Sequence, residues 1–231
     1  MNNIDEYKKE LLEFYSPHFK NDKDLNAFVD LTLNYDDKYS QVRFMIQQVE
    51  RFVSLANDID KIRPARDPLR VVFIKTCLEA LCDIAGYTQE NKKEFYIEFE
   101  KCFSNEGRQY ILSNFKYIGI DIPDGLSFEQ KIPYYNYENL EFTMSCFLKL
   151  LHAIRNMVVH EGDYWTTQLF SHDSESIWIT SIKTNDRIFD IKKEIINYHF
   201  QTRLNYSKFI FYFVQACIKF IDKRRMELYE Q

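Results

Sequence analysis

Apolar residues recur at steps of three and four along most of this chain, and the gaps between runs hold Pro, Gly or clustered charge. Ile4, Tyr7, Leu11, Leu12 and Tyr15 form the first run, which Pro17 stops. Leu25 to Leu33 is a shorter one, broken by Asn34-Tyr35-Asp36-Asp37. Val42, Met45, Ile46, Val49, Phe52, Val53 and Ala56 predict a long helix ending near Asp58, with Gln47, Gln48, Glu50 and Arg51 on its polar side. The stretch from Lys61 to Pro68 carries two prolines among mixed charges and reads as a turn. A helix over Leu69 to Ala85 follows, apolar nearly all round and therefore central, with Gly86 as its C-terminal cap. Thr88 is the expected cap of a helix reaching Phe103, and a further helical piece covers Gly107 to Ile118. Gly119 to Leu126 reads as a loop, and the link on to Tyr137 is long.

The second long apolar helix is expected over Tyr137 to Val159. After Gly162 the period shortens to two. Tyr164 to Phe170 and Ser176 to Ile182 are β-branched and aromatic around the polar Ser171 to Glu175, which predicts a β-hairpin spanning about 164–185. A last helix is expected from Asp190 to Arg225, with His199 among its core contacts. The pattern as a whole predicts an all-α fold, a multi-helix bundle with a small β-hairpin insertion, organised as one domain over 1–231.

Composition agrees with long helices and few turns: 45% of the residues are hydrophobic, with only five Gly and five Pro. The 20 Phe and 16 Tyr predict a core of bulky rings between helices. A net charge of −5 argues against a broad, non-specific nucleic-acid surface and leaves room for a small, focused one. Cys77, Cys82, Cys102, Cys146 and Cys217 have no CxxC or metal-ligand spacing and sit among apolar residues, as buried reduced thiols do. The amino-terminal segment is charged from its start, and the apolar run Phe209 to Phe220 is short and interrupted by Gln215 and Lys219. A soluble, cytoplasmic protein with no membrane association is expected.

Chemistry concentrates at one helix end, Leu148-Lys-Leu-Leu-His-Ala-Ile-Arg155-Asn156-Met-Val-Val-His160-Glu161-Gly162. Asn156 and His160, four apart, share a helix face, whereas Arg155 and His160, five apart, would lie roughly 140° from each other on a regular α-helix. A guanidinium can clamp a phosphate and hold the charge that builds on its oxygens. An imidazole near neutrality can move the proton of an attacking 2′-hydroxyl or of the leaving group, and a carboxamide can orient either partner. Together the three suit phosphodiester cleavage without a metal. Glu79, a carboxylate within an apolar helix, needs a partner there, and is either in a salt bridge, facing solvent or part of the site. His152 lies eight residues before His160, but no third ligand is spaced to join them on a metal. His172 and Asp173 read as a solvated hairpin tip, and Lys223-Arg224-Arg225 as a basic helix end.

Arg155-Asn156-Met-Val-Val-His160-Glu-Gly162 resembles the R-x4-6-H signature of HEPN-domain proteins, in the form with Asn after the Arg. The exact match covers some eight residues, and the helical order is similar over most of the chain. The resemblance implies a HEPN-like bundle and an endoribonuclease needing neither metal nor cofactor, often a toxin or phage-defence effector. It implies that Arg155 and His160 are the catalytic pair, that Asn156 assists them, and that two copies form a homodimer around one RNA cleft. An acidic or polar residue from an earlier helix is common in the family, and Glu79 is the candidate. An antitoxin protein is an implied partner, but Gly162 stands where some toxin members carry a Tyr used in neutralisation. Lys149, Arg155 and Lys183 are the candidates for a local positive field. A reading of another class is a non-catalytic HEPN-like module that binds a protein or nucleotide and dimerises through the same surface.

Overall fold

A computed structural model describes residues 3–122, 124–135, 137, 140–162, 167–171, 177–184, 186, 188–189 and 196–229. The chain is mostly helical with one small antiparallel sheet, and it divides into two compact units that each draw on separate parts of the sequence.

The first unit holds residues 1–55, 76–104 and 210–231. It contains α1 (Asn3–Tyr15), α2 (Asp22–Asp30) and α5 (Lys92–Cys102), with the first part of α3 (Ser40–Ile62) and the later parts of α4 (Asp67–Ile84) and α9 (Tyr206–Tyr229). Its core is the aromatic packing the composition predicts. Phe95 and Phe99 bring their rings to 5.3 and 5.9 Å from Phe220, and Phe103 meets Phe99 at 5.7 Å. Tyr15 is fully buried, and its hydroxyl donates to the Ile46 carbonyl at 2.7 Å, which removes the cost of burying that oxygen. All five cysteines of the chain are buried and free, as their apolar surroundings suggest. Burial pushes the Cys217 thiol well up, and its hydrogen bond with Cys77 adds to that. The basic end of α9 is ion-paired rather than open: Lys223 reaches Glu98 at 3.0 Å, Arg224 binds Glu98, Glu227 and the Tyr87 hydroxyl, and Arg225 reaches Asp222 at 3.2 Å.

His18 in this unit is stacked on Phe211 with ring centroids 4.9 Å apart, and burial lowers its pKa to about 4. The unfolded chain binds a proton near pH 6.5, so between those values it holds more protons than the native state, and stability falls as the pH falls. Urea midpoints measured from pH 7 to pH 4 should drop for the parent and drop distinctly less for His18→Phe. Parallel curves would contradict this.

The second unit holds residues 56–75 and 105–209. α6 (Asn105–Asn114) runs directly into β1 (Phe115–Ile120), and β2 (Trp178–Thr184) and β3 (Ile196–Thr202) complete a sheet of order β1-β3-β2. β3 pairs antiparallel with both neighbours, Phe115 lying opposite Thr202 and Ser181 opposite His199, and β1 is shifted by an irregularity between Tyr117 and Gly119. Phe115, Tyr198, Phe200, Thr180 and Ile182 are buried on one face. Phe115 packs its ring 5.2 Å from Phe200 and 5.7 Å from Phe147 of α8 (Met144–Asn156), which fixes that helix against the sheet. α7 (Phe128–Tyr135) lies in the long link, where no element was expected.

Three expectations need correction here. The segment 115–120 is a strand rather than the end of a helix, because Phe115 is buried while Lys116 and Ile118 are exposed. The last helix begins at Tyr206, not Asp190, and Ile196–Thr202 is the central strand. Of the expected hairpin, Trp178–Thr184 is a strand, but its partner is β3, and residues 167–171 are a buried connection. Its positions 164–166, 172–176 and 185 lie outside the described residues, as do 190–195 of the expected last helix. His199 is accordingly not a core contact. It stands on the outer face of the sheet between Asp121 at 2.6 Å and Ser181 at 2.7 Å.

Candidate functional site at the end of α8

α8 starts later than its apolar stripe suggests. Thr143 is its N-cap, with its hydroxyl accepting from the Cys146 N–H at 3.3 Å. From there Phe147, Leu150, Leu151, Ala153 and Ile154 are fully buried, which leaves the helix little freedom to slide or turn.

Past Asn156 the hydrogen bonding widens into a π turn over Met157–Glu161, and Gly162 closes it with its N–H towards the Met157 and Val158 carbonyls. Met157 stays in the core at 5% exposure, whereas Val159 is 51% exposed. Short π turns occur mostly as single insertions in α-helices and often at functional sites. Because such a turn advances less per residue, the angle between Arg155 and His160 about the helix axis is smaller than the roughly 140° of a regular α-helix. Sequence spacing alone had set them on different faces.

Asn156 is the hub of the cluster. Its Oδ1 accepts from Arg155 Nη1 at 3.2 Å, and its Nδ2 meets His152 Nε2 at 3.2 Å and Asp186 Oδ2 at 3.1 Å. The three contacts agree on one amide orientation, since the reverse would set the NH2 against the guanidinium and the oxygen against the carboxylate. That orientation makes His152 Nε2 the acceptor and places the ring proton on Nδ1. Asp186 is itself held, its N–H donating to Thr184 Oγ1 at 3.0 Å and its carbonyl accepting from the Ile188 N–H at 3.0 Å. Arg155 and Asn156 are half-buried. His160 is exposed, and among the described residues it has no hydrogen-bond or ion-pair partner. The guanidinium is thus positioned while the imidazole is left available to a ligand.

Gly162 has φ 68° and ψ 13°, a left-handed conformation that costs a side-chain-bearing residue. Gly162→Ala should lower stability by about 1 kcal/mol, read from urea midpoints, even though open space surrounds the added methyl. An unchanged midpoint would mean the turn rearranges at no cost.

Arg155 and Asn156 close α8 with their side chains hydrogen-bonded, His160 lies in the π turn that follows, and Glu79 lies on α4. Glu79 belongs to the first unit and faces Lys92 at 4.0 Å, the half-buried ion pair that its apolar setting calls for. Asp186 and His152 are the additional polar members of the cluster. The sequence gives no signal for Asp186, which stands 30 residues away from Asn156 in a turn-rich stretch. His172 and Asp173 lie outside the described residues, and among those described no group of three His, Cys, Asp or Glu is placed to hold a metal ion. No described helix is long and apolar enough to cross a membrane. Compared with known proteins, the chain matches no family model, no curated protein and no solved structure.

Proposed function

We propose that the end of α8 is a HEPN-type endoribonuclease site. The observation that carries this reading is an Arg155 held by Asn156 at the start of a π turn whose exposed His160 has no hydrogen-bond or ion-pair partner among the described residues. In the reaction the 2′-oxygen attacks the adjacent phosphorus, the P–O5′ bond breaks, and a 2′,3′-cyclic phosphate and a 5′-hydroxyl result. Arg155 binds the non-bridging oxygens, whose charge grows as the fifth bond forms. His160 moves a proton, from the 2′-hydroxyl or to the departing 5′-oxygen. Asn156 is a positioning residue that keeps the guanidinium aimed. A homodimer that sets two such turns across one cleft, and use as a toxin or phage-defence effector restrained by an antitoxin, complete the proposal. The test is cleavage of RNA by the purified protein in excess EDTA, with Arg155→Ala and His160→Ala as controls.

The Asn156–Asp186 hydrogen bond favours a second reading. It ties the segment after β2 to the end of α8, as a scaffold would, in a non-catalytic module that binds a protein or nucleotide. RNA left intact by the parent, together with loss of stability or dimerisation in Asn156→Ala, would select that reading.

A further inference from the structure

The second unit has a small polar cavity of about 140 Å³, lined by Ser113, Asn114, Lys116, Gln201 and Arg203. It forms where α6 ends and the outer faces of β1 and β3 begin, Lys116 lying directly opposite Gln201 in the sheet. Lys116 and Arg203 are exposed, and among the described residues neither has an ion-pair partner. Two neighbouring cations without a carboxylate repel each other, and an anion between them relieves that.

Two carbonyls towards the end of α6, which would oppose an anion, are already engaged. Tyr110 O accepts from Ser113 Oγ at 3.2 Å and Asn114 Nδ2 at 2.8 Å, and Asn114 O accepts from the Arg203 N–H at 2.7 Å. The donors left for a ligand are the Lys116 ammonium, the Arg203 guanidinium and the Gln201 amide. Beside them Ile118 and Ile179 are 49% and 69% exposed, and Ile179 is paired with Gln201 across the sheet. Lys183 adds a further exposed cation on β2. The carboxylate of Asp121, at the far end of β1, is committed to His199 and Asn197. A cationic, amide-lined hollow next to exposed apolar side chains suits a phosphate carrying a sugar and a base better than it suits a bare carboxylate.

We propose that this cavity binds a phosphate group, and that the phosphate is a link of an RNA backbone running over the outer face of the sheet. The phosphate site stands on the cavity alone, and its assignment to RNA rests on the ribonuclease reading. The probes are inorganic phosphate and a single-stranded 2′-O-methyl oligonucleotide, which lacks the attacking hydroxyl and so reports binding whether or not Arg155 and His160 cleave. Both should shift the NMR signals of Lys116 and Arg203 in the parent. Lys116→Glu/Arg203→Glu should weaken oligonucleotide binding at least tenfold at low salt and reduce the salt slope by about 0.7, the value for one neutralised phosphate on a single strand. Lys23→Glu/Lys93→Glu, an equal charge change in the first unit, should leave binding within about twofold of the parent. Shifts with phosphate alone would keep the phosphate site and assign it to a small phosphorylated ligand. Equal losses in the two double variants, or no shift with either probe, would overturn the proposal.

Discussion

His160→Ala should reduce RNA cleavage by about a hundred- to ten-thousand-fold, the usual contribution of a positioned acid or base. Its stability should stay within about 0.5 kcal/mol of the parent, because the exposed imidazole has no partner among the described residues. Arg155→Ala should lose about a hundred- to a thousandfold, the scale of removing a donor from a developing oxyanion. Arg155→Lys should recover only part of that, since an ammonium keeps the charge but cannot offer two parallel N–H groups to a phosphate or hold the same bond to Asn156 Oδ1. Rates come from single-turnover cleavage of a labelled RNA in EDTA, and folding from circular dichroism and urea titration. Loss of activity matched by loss of folding in both variants would point to a structural cluster instead.

Asp67→Ala should be the most destabilising single change considered for the second unit, at about 3–5 kcal/mol. The carboxylate is 1% exposed and accepts from the Leu169 and Phe170 N–H groups at 3.0 and 2.8 Å. It also pairs with Arg70, itself 4% exposed, bonded to Asp60 and lying 4.1 Å over the Tyr206 ring. The alanine would strand two buried backbone donors and deprive a buried guanidinium of one counter-charge. Asp67→Asn keeps one acceptor and should cost about 1–3 kcal/mol, the price of a single unsatisfied group. A whole domain is stable by only about 5–15 kcal/mol, so the alanine variant should show a large drop in urea midpoint. A loss under about 1 kcal/mol would mean that water replaces the carboxylate there.

The helices were legible wherever a wide apolar stripe met a breaker. α4 appears between Asp67 and Ile84 because Pro68 and Gly86 mark both ends of a continuous apolar run. The strands were harder, for two physical reasons. β1 follows α6 with no Gly or Pro at Asn114–Phe115, so its short alternation reads as one more helical turn. In β3 the pattern Tyr198, Phe200, Thr202 inward and Asn197, His199, Gln201 outward is a plain period of two. It was hidden because Ile191, Ile195, Ile196 and His199 also fit helical steps. The better signal was Asn205, whose side chain accepts from the Lys208 N–H at 3.0 Å and marks the true start of α9.

At the candidate site the sequence offered residue types but not their geometry. Arg155, Asn156 and His160 stood out by chemistry, but a period of 3.6 cannot foresee a π turn. The contact from Asp186 to Asn156 spans 30 residues and depends on where β2 ends, which local pattern does not encode. Glu79 was singled out because a carboxylate in an apolar helix needs a partner, and Lys92 lies 4.0 Å from it.

The most direct measurement is the chemistry of the cut ends in EDTA. RNA treated with the parent protein should carry 2′,3′-cyclic phosphate and 5′-hydroxyl termini, and a single 2′-deoxynucleotide at the cleaved position should block the cut. Uncut RNA, or termini with a 3′-hydroxyl and a 5′-phosphate, would contradict a 2′-hydroxyl attack organised by Arg155 and His160.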